Sequence, residues 1–209
     1  KMSLYKTNCN NIKKVFDSTP PLSSLNSETN YLLRDYYIKT AYNCCATGSF
    51  KGDYVGLCAL KNCIKQGVRC LDFEIYSMDD KPVVAVSSFK DIYIKESYNQ
   101  IPTTEVFNTL INMAFSASHC PNFKDPLILH FRILSNNKKM YDELAKQIRT
   151  ILYSKILGVN YSYEFNNKNL GAVPIKNFIN RILIFVDSSN PIYQKTNLNE
   201  YVNLASGTP

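Results

Sequence analysis

The chain opens on a polar stretch and then settles into alternating apolar segments of two periods. Residues 1–30 lack a sustained period, and Ser18-Thr19-Pro20-Pro21 and Ser23-Ser24 interrupt any regular element. An extended arm with a short helix around Ile12–Phe16 is expected there. Tyr31 to Ala41 is rich in tyrosine and β-branched residues and predicts a strand. After the loop marked by Gly48 and Gly52, Asp53 is the expected N-cap of a helix through Gln66. Tyr54, Leu57, Cys58, Leu60 and Ile64 fall at helical spacing, and Gly67 ends it. Val68–Tyr76 and Pro82–Val86 predict two strands around a turn at Met78-Asp79-Asp80-Lys81, followed by a long loop over 87–101. Pro102 opens a helix to about Ser118. Pro126–Leu134 predicts a strand, Met140–Leu157 a second amphipathic helix, and Arg181–Val186 a last strand. Strands alternating with helices define an α/β fold with a largely parallel sheet, closed or open.

Composition narrows the classes. At 209 residues, with 45% hydrophobic and 12% aromatic content, the chain can bury one substantial core and is not disordered. No apolar run approaches the ~18 residues of a membrane span, and no signal peptide is visible at Lys1. The first residue is not Met, so the sequence reads as a trimmed piece of a longer one. Net charge is +7, with scattered basic residues and Lys13-Lys14 and Lys138-Lys139 as adjacent pairs. That balance permits weak attraction to an anionic membrane surface and gives no ground for specific nucleic-acid binding. The seven cysteines, at 9, 44, 45, 58, 63, 70 and 120, form no CxxC pair, which argues against zinc. They are expected as reduced thiols in an intracellular setting, with Cys58, Cys63 and Cys70 as small buried side chains.

Candidate chemistry concentrates in Gly67-Val68-Arg69-Cys70-Leu71-Asp72-Phe73-Glu74. Asp72 and Glu74 lie two apart on a predicted strand and so project from one face. Together with Tyr37–Asn43, Tyr54, Ala59-Leu60, Pro82-Val83-Val84, Pro126–Leu129, Phe178–Ile184 and Leu198–Val202, this order of motifs resembles the catalytic X region of phosphoinositide-specific phospholipase C over residues 32–205.

The resemblance implies a TIM-barrel-like fold, here a partial barrel of five expected strands where a closed one has eight, preceded by the polar 1–30 arm, with residues 31–209 as the barrel domain. In that family two histidines serve as general acid and base on a phosphodiester. In eukaryotic members a calcium ion, held by an asparagine and three acids, stabilises the developing charge. Carried over by position, the two histidines fall on Tyr42 and Val86, neither of which shuttles protons near neutral pH. Asn43, Asp72 and Glu74 keep three ligand positions, the fourth falls on Arg132, and the phosphate-gripping lysines fall on Phe185, Asp187 and Ser188.

The resemblance therefore implies a degenerate barrel with no catalytic residues and no cofactor, calcium entering only if the chain is a divergent phospholipase C. Arg132 is expected to stand in for the cation by pairing with Asp72 and Glu74. Among the histidines, His119 reads as a capping or surface residue, and His130 shares a strand face with Arg132 as a further pocket candidate. The expected roles are structural, assembly or binding, with protein partners meeting the 1–30 arm and the 87–101 loop. The Lys-, Asn-, Ile- and Tyr-rich usage resembles that of AT-rich genomes, large DNA viruses among them, which adds a virion component to those roles. Anionic head-group binding without hydrolysis is the remaining alternative.

Overall fold

The computed structural model describes residues 2–11, 18–22, 30–89, 93–162 and 169–207. Its frame is a mixed sheet of seven strands: β1 (Thr40–Ala41), β2 (Cys70–Met78), β3 (Lys81–Ala85), β4 (Ile101–Pro102), β5 (Leu127–Ile133), β6 (Ile182–Asp187) and β7 (Leu204–Ser206). The order is β4-β3-β2-β5-β6-β7, with β1 beside the start of β2. Pairings β1–β2, β2–β5, β5–β6 and β6–β7 are parallel, while β2–β3 and β3–β4 are antiparallel. Among the described residues the sheet runs from β4 to β7 without closing. The architecture is TIM-barrel-like and open.

Period-2 alternation divides the sheet into two faces. Leu71, Phe73 and Ile75 of β2, Leu127, Leu129, Phe131 and Ile133 of β5, and Ile182, Ile184 and Val186 of β6 join the main core. Three helices cover that face: α2 (Leu57–Lys65), α3 (Thr103–Met113) and α4 (Lys138–Ile151). α4 buries Met140, Tyr141, Leu144, Ala145 and Ile148, one stripe of a 3.6-residue period, and Asn137 caps it by accepting from the Lys139 amide at 3.1 Å. α2 stops where expected: Gly67 takes φ +74°, and an added Cβ would lie 3.1 Å from Asn122 Oδ1. The opposite face carries Cys70, Asp72, Glu74, Ile128, His130, Arg132, Leu183, Phe185, Leu204 and Ser206 in register. Its lower end is plugged by a second cluster of Leu33, Ile128, Leu170, Ile175, Phe178 and Leu183, whereas its upper end, at the C-terminal ends of the parallel strands, is polar.

Several expectations are corrected. Tyr31–Ala41 is not a strand. Leu33–Asp35 turns as a 3₁₀ segment, with Asp35 accepting from the Leu32 amide at 3.0 Å; Leu32 makes an isolated bridge to Pro174, and within 31–41 only Thr40–Ala41 joins the sheet. Asp53 does not cap α2, whose N-cap is Gly56. Its carboxylate instead accepts from the Ser49 and Tyr54 amides and from Asn8 Nδ2. α3 and α4 are shorter than the patterns suggested, ending at Met113 and Ile151. At the N-terminus, Met2–Asn11 forms helix α1 rather than an extended arm, while the helix expected at Ile12–Phe16 lies outside the described residues. Cys9 and Cys58 are joined in a disulfide, so the reading of all seven cysteines as reduced thiols fails for this pair. Cys44, Cys45, Cys63, Cys70 and Cys120 are free, and burial pushes the Cys63 thiol up to about 11. Among the described residues no helix is long and apolar enough to cross a membrane.

Candidate functional site

The polar end of the inner face is built by parallel register. Asp72 pairs with His130 and Glu74 with Arg132 across β2 and β5, so four titratable side chains meet on one surface. The Asp72 and Glu74 side chains are 6% and 2% exposed, and the Arg132 side chain 13%. Burial of unpaired charge at this depth costs several kcal/mol. The arrangement answers that cost with a fully bonded network.

Arg132 is its centre. Nη2 donates to Asp72 Oδ1 at 2.7 Å and to Asn43 Oδ1 at 2.6 Å, Nε donates to Asp72 Oδ2 at 3.0 Å, and Nη1 donates to Glu74 Oε1 at 2.6 Å. The planar guanidinium thus spans two carboxylates and an amide, which its fork geometry suits and a lysine ammonium does not. Burial opposes its charge, but the bonds to Asp72 and the neighbouring acids outweigh that and raise its pKa. Asp72 shows the reciprocal effect. Burial works against its ionisation, yet hydrogen bonds from His130, Arg132 and the Asn43 amide bring its pKa down to about 2.

The remaining acceptors are also filled. Glu74 Oε2 accepts from Tyr76 Oη at 3.0 Å and from the Ser87 amide at 2.9 Å. Asn43 holds φ +46°, a left-handed conformation that asparagine tolerates. That turn aims its amide N–H at Asp72 Oδ1 (3.0 Å) and its side-chain oxygen at Arg132. Tyr42, 53% exposed, lays its ring over the guanidinium 4.2 Å from the ring centroid to the Cζ carbon. The same tyrosine and Arg132 line a cavity of about 480 Å³ with Tyr93, Leu134, Asp187 and Asn190.

The other sequence candidates are dispersed. Val86 is buried in the core, its amide donating to Ser97 Oγ at 3.3 Å. Phe185 packs against the lower apolar cluster, and Asp187 accepts from the Ser189 amide at 2.8 Å. Ser188 donates from its amide and hydroxyl to the Ser206 carbonyl at 2.9 and 2.8 Å. His119 is exposed and bonded to Ser118 and Ser116, away from this face. His130 belongs to the network, with Nδ1 2.7 Å from Asp72 Oδ2 and Nε2 2.7 Å from Ser206 Oγ. Sequence reasoning missed Ser206, Tyr76 and Ser87. Tyr76 alone carried a signal, sharing the Asp72 and Glu74 face by alternation.

This geometry defines a class of protein: an open α/β barrel whose polar site sits at the C-terminal strand ends. Its counterparts among solved structures are phosphoinositide-specific phospholipases C. S. officinalis PLC21 superposes with a TM-score of 0.63 at 15% identity over 88% of this chain, and L. pealei PLC21 with 0.58 at 15% over 78%. A calcium-dependent phosphoinositol-specific phospholipase C of a Gram-negative Pseudomonas species gives 0.55 at 9% over 86%. The chain spans 25%, 19% and 68% of the lengths of those three proteins. At these identities the likeness is one of fold. No family model and no curated protein matches the sequence.

Proposed function

We propose that this chain is a phospholipase C-like barrel that has exchanged cation chemistry for a fixed internal ion pair, and that it acts by binding or assembly rather than by cleaving phosphodiesters. The observation that carries the reading is the seat of Arg132. Asn43 Oδ1, Asp72 Oδ1 and Glu74 Oε1 each accept a guanidinium N–H at 2.6–2.7 Å. A calcium ion needs those oxygens as ligands at 2.3–2.6 Å, and it would sit against a permanent positive charge. The residues present therefore do not fit the ion. The two positions where the resemblance puts the paired proton carriers are unsuited as well, because Tyr42 has a pKa raised by burial and Val86 has no titratable group, which leaves His130 as a single histidine where that chemistry uses two.

The direct test is release of water-soluble inositol phosphates from phosphatidylinositol vesicles by the purified chain, with calcium and with chelator. No release in either condition is expected. Chelator-sensitive release that disappears in Asp72→Ala would refute the proposal and restore a divergent phospholipase.

A second reading, head-group binding without hydrolysis, draws support from exposed aromatic and aliphatic side chains near the site. Tyr42, Phe89, Tyr93 and Ile94 are 47–68% exposed, and Lys51 lies over the Phe89 ring. Flotation with anionic and neutral liposomes separates the readings. Lipid binding predicts co-flotation with the anionic vesicles only, weakening with salt. Assembly predicts none. For assembly, the 1–30 segment and the 87–101 loop are the proposed protein contacts.

A further inference from the structure

The inner face holds a second constellation that the ion pair does not explain. Asp72 Oδ2 already accepts from Arg132 Nε at 3.0 Å and lies 2.7 Å from His130 Nδ1, so this bridging carboxylate oxygen is the acceptor and Nδ1 the donor. In the neutral imidazole Nε2 then presents a lone pair, and Ser206 Oγ stands 2.7 Å from it. Carboxylate, imidazole and hydroxyl are thus linked in series. They come from three strands: Asp72 pairs with His130 across β2–β5, and β7 brings in Ser206 opposite Asp187. The His130 side chain is 22% exposed and Ser206 half-buried, so the pair is reachable from the open face. The 480 Å³ cavity is lined by Arg132, bonded to the same carboxylate, and by Asp187, paired with Ser206 across β6–β7, rather than by Ser206 or His130 themselves, so a small ester would reach the hydroxyl from its edge.

We propose that Ser206, His130 and Asp72 form a nucleophilic triad that takes an acyl group from a small activated carboxylic ester. Ser206 Oγ bonds to the carbonyl carbon while its proton passes to His130 Nε2. The bond from that carbon to the alkoxy oxygen then breaks, and the leaving alcohol takes the proton from Nε2. The acyl group remains on Ser206 until water, deprotonated by the same nitrogen, releases it as the carboxylic acid. Asp72 holds the imidazole in the required tautomer. This chemistry goes beyond the proposed function and is compatible with it. Phosphodiester cleavage in the related barrels uses two proton carriers and a cation, whereas acyl transfer uses one histidine for both proton movements.

The test is labelling with a fluorophosphonate probe, with the modified residue mapped by mass spectrometry, alongside stopped-flow hydrolysis of p-nitrophenyl acetate. The expected result is a single adduct on Ser206, a burst of nitrophenol, loss of both in Ser206→Ala, and labelling slowed about 100-fold or more in His130→Gln. Circular dichroism melting of each variant verifies that it is folded. His130→Gln keeps a polar side chain in the same position, so a purely structural His130 predicts unchanged labelling. No adduct on Ser206 in the folded wild-type chain, or an adduct formed equally fast in His130→Gln, overturns the proposal.

Discussion

Replacing Arg132 by methionine removes one positive charge from the inner face while keeping most of the side chain's volume. Five guanidinium hydrogen bonds disappear: three to Asp72 and one each to Glu74 and Asn43. Two carboxylates that are at most 6% exposed then lose their partner. Breaking a buried pair by removing one member costs on the order of 3–5 kcal/mol, because the charge left behind stays desolvated. In a chain of this length each kcal/mol moves the melting temperature by about 2–4 °C, so a fall near 10 °C is expected. The chain has no tryptophan, so urea denaturation followed by far-UV circular dichroism or tyrosine fluorescence is the suitable assay. The pH dependence adds a sign. Unpaired Asp72 would hold its proton more tightly folded than unfolded, so the variant gains stability relative to wild type as pH falls from 7 towards 5. A cost below about 1 kcal/mol that is the same at both pH values would show that Arg132 is peripheral to the fold and refute the ion-pair account.

In the wild-type chain the sign is opposite. The folded pKa of Asp72 is held at about 2 against an ordinary 3.8, so its contribution is present above pH 4 and is lost as pH falls through 2. The shift corresponds to about 2 kcal/mol, and Asp72→Asn should flatten that part of the acid denaturation curve. Phe131→Ala empties a fully buried site between the Phe73 and Phe107 rings and should cost about 3–5 kcal/mol by urea titration. Cys9→Ser should raise amide exchange in Met2–Asn11 while leaving β2 and β5 protected, because the disulfide and the Asn8–Asp53 bond tie α1 to the body.

Much of this architecture follows from side-chain period. β2, β5 and β6 alternate between the helix-covered core and the inner face, so their existence and their facing residues were legible. The tyrosines and β-branched residues of 31–41 misled, because Leu33 is used as an apolar plug under the sheet and its neighbours turn to place it there. β7 has three residues, too few for any period, and Ser206 was invisible with it. The Cys9–Cys58 pairing spans 49 residues and leaves no local trace. At the site, the shared face of Asp72 and Glu74 was readable from spacing, and the resemblance suggested Arg132 as their partner. What spacing cannot supply is the left-handed Asn43, whose backbone and side chain close the network around the guanidinium.

Calcium titration calorimetry on the wild-type chain and on Arg132→Met tests most directly whether the guanidinium is the cation of this site. The expected result is no binding heat from wild type at millimolar calcium, and a calcium isotherm from the variant, whose Asn43, Asp72 and Glu74 oxygens are released. Calcium binding by the wild-type chain that Asp72→Asn abolishes would contradict it.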